Sequence, residues 1–353
     1  MDTNKISILT FALSCLVAFA LFSCSRGDLP PADNNEHGYI IATLNTAQTR
    51  NPLEATNDDV VRSVRIFVFV DEMLETQQLF RHGEAGWNNP FRMEVVLGQK
   101  NIFVVANETA EMQTALEKVL TVRDLYNVIA AETAINQPFV FDVNDGLPMT
   151  GRIEDVSVVA NTVTSTTVTL THLTAKLSIN IIDGAQFDYP IEISRITLRN
   201  NMGRSLLWER SDGAFLAFDE DDFFNYEITG FSRDNNRWRI PPLYLFENLH
   251  GYNHRLFATR LEIEALLPLR EQDGTGYVVR RFPVTYSVYI NARVGSLSDV
   301  VSDDPRYEEH LYRIRRGHHY ILTGTISGSE NTHIAVKTNV RPWVVVESEK
   351  PLF

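Results

Sequence analysis

Runs in which apolar and polar residues alternate with a period of two recur from Tyr39 almost to the end of the chain, and each reads as a strand with one face in a core. Tyr39 to Asn45 is the first. Val61 to Val70 is apolar on both faces towards its end, which suits the middle of a sheet, and Asn101 to Ala106 follows. Further strands are expected at 156–159, 164–171, 175–182, 191–199, 238–246, 256–267, 277–290, 318–326 and 334–346. So many short strands imply a sandwich or a barrel. Helical spacing is confined to one region. Thr109 can cap a helix carrying Met112, Leu116, Val119 and Leu120 on one side, and Thr121 to Asp124 has the form of a capping box opening a second helix with Leu125, Val128 and Ile129. The two read as a helical insertion packed on a sheet. No repeat of solenoid period is present.

In 164–171, Val168 and Leu170 share one face and Thr167, Thr169 and Thr171 the other; Ala175, Leu177, Ile179 and Ile181 then alternate with Lys176, Ser178 and Asn180. Two one-sided strands in succession suit a link between two sandwiches, with the boundary near 171–175; a continuous long strand or a hairpin inside one domain is the alternative. Leu147-Pro-Met-Thr-Gly151 combines a residue of fixed φ with one that accepts φ > 0, and is expected as a turn between strands. After Arg316 and Gly317, a strand would place His319 and Ile321 on one face and His318, Tyr320 and Leu322 on the other.

The start of the chain has a different pattern. From Ile6 to Phe22 there is no charge; one Lys precedes the run, and a Pro-rich polar stretch follows it, the parts of an export signal. It ends in Leu21-Phe22-Ser23-Cys24, which resembles the lipobox of bacterial lipoproteins, in which the Cys is lipidated and becomes the new N-terminus. A spanning anchor is the alternative, since a span needs about 20 apolar residues. The only other Cys is Cys15, inside the leader, so the body would have no internal disulfide and must be held by its core. With 353 residues and 44% hydrophobic content the chain can supply one, in about two domains of ~150 residues. The net charge of −13 and the lack of a basic stripe argue against nucleic-acid binding.

Signals for chemistry are weak. His318 and His319 would point to opposite faces of a strand and cannot chelate one ion; His250 and His254 have helical ligand spacing, but Gly251 and Asn253 disfavour the helix. Asp219 to Asp222 and Asp142 to Gly146 read as a solvated loop and a β-turn in preference to calcium sites. No thiol nucleophile outside the leader region, Gly-x-Ser-x-Gly elbow or phosphate cradle is present. No catalytic, cofactor or metal residue is assigned, and an enzyme is not expected. Trp87, Trp208, Trp238 and Trp343 are scattered and read as core.

Several phrases taken together resemble the fimbrillins, the type V pilin family of Bacteroidia-type bacteria: Val64 to Val70, Phe103-Val-Val-Ala-Asn107, Leu147 to Gly151, Leu173-Thr-Ala-Lys-Leu-Ser-Ile179, and Arg316-Gly-His-His-Tyr320. The resemblance implies an all-β fold with a small helical insertion, built as two tandem transthyretin-like β-sandwich domains. It implies a signal peptide at 1–23, a lipidated tether or propeptide with the first strand at 24–50, an N-terminal domain at 51–172 and a C-terminal domain at 173–353. Family members are exported as lipoproteins to the outer membrane and assemble into surface fimbriae by strand exchange after a protease removes the leader with its first strand. On that reading Cys24 is the lipidation site, Arg50 and Asn51 flank an Arg-specific cleavage, and Ile334, Val336, Thr338 and Val340 form a donor strand, or else the terminal strand of their own domain. The presence of that strand argues against a tip subunit. The expected partners are other fimbrial subunits and the outer membrane through the lipid, with host or bacterial surface ligands left open. A lipid-retaining anchor or accessory subunit is the alternative, and a glycan-binding surface lipoprotein is one of another class.

Overall fold

The computed structural model describes residues 37–46, 58–131, 146–184, 189–209, 223–250, 252–274, 276–292, 301–302, 311–326 and 334–342. They form two β-sandwiches in succession. The first comprises β1 (His37–Thr46), β2 (Ser63–Val70), β3 (Met73–Arg81), β4 (Phe91–Val96), β5 (Gly98–Ala106), β6 (Ile129–Ala131), β7 (Met149–Val158) and β8 (Val163–His172). Their order is β3-β2-β5-β7-β8-β1-β4, with β6 outside it. β7 and β8 pair only at Met149↔His172 and Thr150↔Thr171, so the path folds there into two leaves. Ile40, Leu44, Ile66, Val104, Met149 and Val168 are among the residues that close the core between them.

The second sandwich comprises β9 (Ala175–Asp183), β10 (Glu192–Met202), β11 (Arg204–Leu206), β12 (Phe223–Glu227), β13 (Ser232–Asp234), β14 (Arg237–Arg239), β15 (Leu243–Leu245), β16 (Arg260–Asp273), β17 (Gly276–Tyr289), β18 (Val301–Ser302), β19 (His318–Ile326) and β20 (Ile334–Pro342). One leaf is β12-β10-β16-β17; the other is β13-β14-β9-β19-β20-β18, with β15 also paired to β9. Leu177, Ile179, Ile196, Leu261, Ile263 and Tyr320 lie in the core between them.

The double-sided apolar character of β2 has a physical cause. Val64, Ile66 and Val68 face the first core, while Phe67 and Phe69 face a third cluster built with Phe103, helix α1 (Ala110–Leu116), helix α2 (Val122–Tyr126) and the second sandwich's Met202, Leu207, Trp208 and Phe246. The helices start as their sequences specify. Thr109 accepts the Met112 amide, and Thr121 and Asp124 exchange both bonds of a capping box. β6 pairs with β11, which ties the helical insertion to the second sandwich.

Four expectations need correction. Leu147 to Gly151 is not wholly a turn: Met149, Thr150 and Gly151 already belong to β7, and the positive φ falls on Gly146. Gly151 is required by close approach, because a Cβ there would stand 2.6 Å from the Thr169 carbonyl oxygen. The single strand expected at 238–246 is two short ones, β14 and β15, separated by Pro241 and Pro242, which bring no amide to a ladder. The segment expected to begin a strand at Leu256 first forms a 3₁₀ helix, Tyr252–Phe257, which contains His254, and the strand starts at Arg260. Finally, the expected set lacks β3 and β4 and the shorter β6, β11, β12, β13 and β18. β3 is mostly polar, and β4 is short although its alternation is complete.

Candidate functional site: the seat of the first strand

β1 is held along both edges. It runs parallel to β8, from Tyr39↔Val163 to Thr46↔Leu170, and antiparallel to β4, from His37↔Val96 to Ala42↔Phe91. Its alternation does what the sequence requires: Ile40, Ala42 and Leu44 are at most 1% exposed and point into the first core, while Tyr39, Ile41, Thr43 and Asn45 are half-buried on the outer face. At the start of the strand, a Cβ on Gly38 would meet Val158 Cγ1 at 2.6 Å, so the backbone there passes against β7. Arg92 of β4 stacks its guanidinium 3.8 Å above the Tyr39 ring.

Beyond Ala42 the β4 ladder has ended, and a side chain replaces it. The Leu44 amide donates to Asn89 Oδ1 at 2.8 Å, and Asn89 Nδ2 donates to the Leu44 carbonyl at 2.9 Å. One amide thus offers the donor and acceptor that another strand's backbone would have offered. The last residue of β1 is fixed by a carboxylate. Thr46 Oγ1 donates to Asp59 Oδ2 at 2.7 Å, and His172 Nε2, at the end of β8, lies 2.8 Å from Asp59 Oδ1. Asp59 is 0% exposed.

The neighbouring Asp58 binds the other sandwich. Lys176 of β9 forms an ion pair with its Oδ2, and Tyr244 of β15 donates to its Oδ1 at 2.8 Å. Burial, and then the Asp58 hydrogen bond, raise the pKa of the Tyr244 hydroxyl well above its ordinary value. Within the second sandwich, Arg316 pairs with Glu247 and donates to the carbonyls of Leu206 and Leu207 at 2.7 Å each, and the first sandwich meets this cluster where Thr150 Oγ1 donates to the Leu207 carbonyl at 3.4 Å. A polar cleft of about 440 Å³ opens beside it, lined among others by Thr150, Gly151, Trp208, Arg316 and His318. Two phrases far apart in sequence therefore meet in one structural joint.

The expected site residues fall as follows. Cys24, Arg50 and Asn51 lie outside the described residues, the last two between Thr46 and Asp58. Ile334, Val336, Thr338 and Val340 lie on β20 opposite Ile326, Gly324, Leu322 and Tyr320 of β19, and Val340 is also opposite Ser302 of β18. β20 is thus docked as a strand of its own sandwich. His318 Nδ1 lies 2.8 Å from the Arg316 carbonyl oxygen and His319 Nε2 lies 2.9 Å from Ser178 Oγ, so the two rings have separate partners. The acidic run 219–222 and residues 142–145 are outside the described residues, as is Trp343; Trp208 and Trp238 are buried and Trp87 is half-buried. Asn89, Asp58, Asp59 and His172 were not singled out by sequence. Only the Asn-Pro step at 89–90 and the paired Asp before an apolar run mark them at all.

Residues 40–187 match the family described as "Major fimbrial subunit protein (FimA)". The major fimbrium subunit FimC of Porphyromonas gingivalis is 26% identical over 342 residues, covering 94% of this chain and 69% of that protein. Two solved structures share the fold. A fimbrilin (FimA) from P. gingivalis W83 superposes with a TM-score of 0.56 at 16% identity, covering 89% of this chain and 99% of its own. A candidate cell-adhesion protein from Parabacteroides distasonis gives 0.62 at 16% identity, covering 88% and 99%.

Proposed function

We propose that this chain, a relative of the fimbrillins, is a structural subunit of a cell-surface fimbrium whose assembly proceeds through the seat of β1. The observation that carries the reading is the strand itself. It contributes an alternating apolar face to the first core, is paired on both edges, and is covalently continuous with the rest of the first sandwich through the segment between Thr46 and Asp58. Export as a lipoprotein on Cys24 would deliver the chain to the outer membrane. A cut after Arg50 would then separate β1 from the body, and its departure would leave β8 and β4 with unpaired edges around an apolar slot. Such a slot accepts a strand of like alternation, because unpaired amides and carbonyls give the ladder and alternate side chains give the register. Ile334, Val336, Thr338 and Val340 of another copy have that alternation. Burying a Leu- or Ile-sized side chain contributes about 1.5–3 kcal/mol, so an inserted strand gains on the order of several kcal/mol before the costs of association.

The test is to trim the purified protein with an Arg-specific protease and look for a ladder of oligomers. Arg50→Ala and a truncation before Ile334 should each abolish it. A trimmed protein with confirmed termini that stays monomeric refutes the stalk role. The lipid-retaining anchor is then the better reading, and the completeness of the β1 seat, with Asn89 and Asp59 both engaged, is the observation in its favour.

A further inference from the structure

We propose that Asp59 makes the seat of β1 selective for a hydroxyl, so that a strand filling it must carry Thr or Ser where Thr46 stands. For the choice among incoming strands the inference rests on the assembly reading above; for the hold on the chain's own β1 it rests on geometry alone. The apolar positions Ile40, Ala42 and Leu44 give the strand its grip, but any alternating strand can supply such contacts. A slip of two residues keeps the same face inward and costs no alternation. What such a slip changes is the side chain placed before Asp59. That carboxylate is fully buried, with Thr46 donating to one oxygen at 2.7 Å and His172 at 2.8 Å from the other. A Val in the place of Thr46 would remove a donor from a charged acceptor that water does not reach, a loss larger than for a neutral bond. An alternating apolar face reads only hydrophobicity; Asp59 reads identity and register.

The carboxylate does not depend on β1 for its position. Its neighbour Asp58 is bound by Lys176 and Tyr244 of the second sandwich, and His172 belongs to β8. Asp59 is therefore held from two directions when the strand leaves. Applied to Ile334–Pro342, the rule sets Thr338 in the place of Thr46, since Ile334, Val336 and Val340 are apolar, and so puts Val336 where Leu44 stands.

The first measurement uses the full chain and follows hydrogen exchange of the β1 amides. Thr46→Val, of the same shape without the hydroxyl, should raise their exchange at least ~10-fold, whereas Thr46→Ser should stay close to wild type. Asp59→Asn should shrink the difference between the two. Equal exchange in the Val and Ser variants overturns the proposal. The second nicks the chain after Arg50 and displaces the seated strand with added peptides: His37 to Thr46, its Thr46→Val form, Ile334 to Pro342, and its Thr338→Val form. Each hydroxyl peptide should displace β1 at ~10-fold lower concentration than its Val counterpart. Peptides that displace equally overturn the selectivity while leaving strand exchange intact. If none displaces β1, strand exchange fails and the full-chain comparison alone decides the role of Asp59.

Discussion

Asn89 offers the most direct quantitative test of how the first strand is held. At Leu44 the backbone amide and carbonyl both point to the β4 side, where β4 has already turned away, and both are taken by one side-chain amide. Leu44 is fully buried, so Asn89→Ala leaves two polar groups beside a core. An orphaned buried donor or acceptor costs about 1–3 kcal/mol, and partial access of water through the vacated volume offsets some of it, giving an expected destabilisation of about 2–4 kcal/mol. Denaturant unfolding of the first sandwich should show this loss. Native-state hydrogen exchange should localise it, with the Leu44 amide losing protection before the β2 and β5 amides at the centre of the other leaf. Asn89→Asp is the control. It keeps the acceptor for the Leu44 amide but sets a carboxylate against the Leu44 carbonyl, and should be no more stable than the Ala variant. If Asn89→Ala lies within 0.5 kcal/mol of wild type, the side chain is not replacing a strand, and the account of the seat is wrong.

Four other outcomes are expected. Arg316→Met should cost about 3–5 kcal/mol in denaturant unfolding, because it leaves Glu247 buried without its partner and removes the donors to the Leu206 and Leu207 carbonyls; a loss below 1 kcal/mol would contradict this. Cys24→Ala should abolish fatty-acid labelling and outer-membrane fractionation, and reductant should not alter the unfolding midpoint of the soluble body, since only Cys15 and Cys24 exist. The hydrogen bond with the Thr121 side chain, followed by that from the Leu120 amide, holds the Asp124 carboxyl below its ordinary pKa. The cap should thus be intact above the ordinary carboxylate value and lost as pH falls through the lowered one; an NMR titration that finds Asp124 unshifted, or unmoved by Thr121→Ala, refutes it.

How much of this was legible in the sequence depended on the range of the interaction. Alternation in Tyr39 to Asn45 identified a strand and its inward face, and the unbroken apolar run of β2 identified a strand covered on both sides, because each signal is carried by neighbouring residues. The caps at Thr109 and Thr121 were readable for the same reason. Asn89 and Asp59 were not, since their roles arise from partners brought near only by the fold: an amide that completes another strand's ladder looks in sequence like any loop Asn beside a Pro. Leu147 to Gly151 misled in the opposite direction. Pro and Gly gave a local turn signal, yet Gly151 serves a close backbone contact with β8 that no local pattern reveals. The prolines at 241 and 242 did carry local information, and splitting that strand at them would have matched β14 and β15.

The parallel pairing of β1 with β8 also governs when the first sandwich can form. Tyr39 meets Val163 only after nearly the whole first sandwich has been made, and β9 likewise waits for β19, with Lys176 opposite His319. Closing such long loops is slow, because the chain loses entropy before any contact compensates for it. The nucleus must therefore be sought in the hairpins, β2 with β3 and β16 with β17, whose partners are adjacent in sequence. β1 joins late, and with it β4, whose ladder is made on β1. A strand that is not needed to start folding leaves the hairpins that nucleate the body independent of its presence.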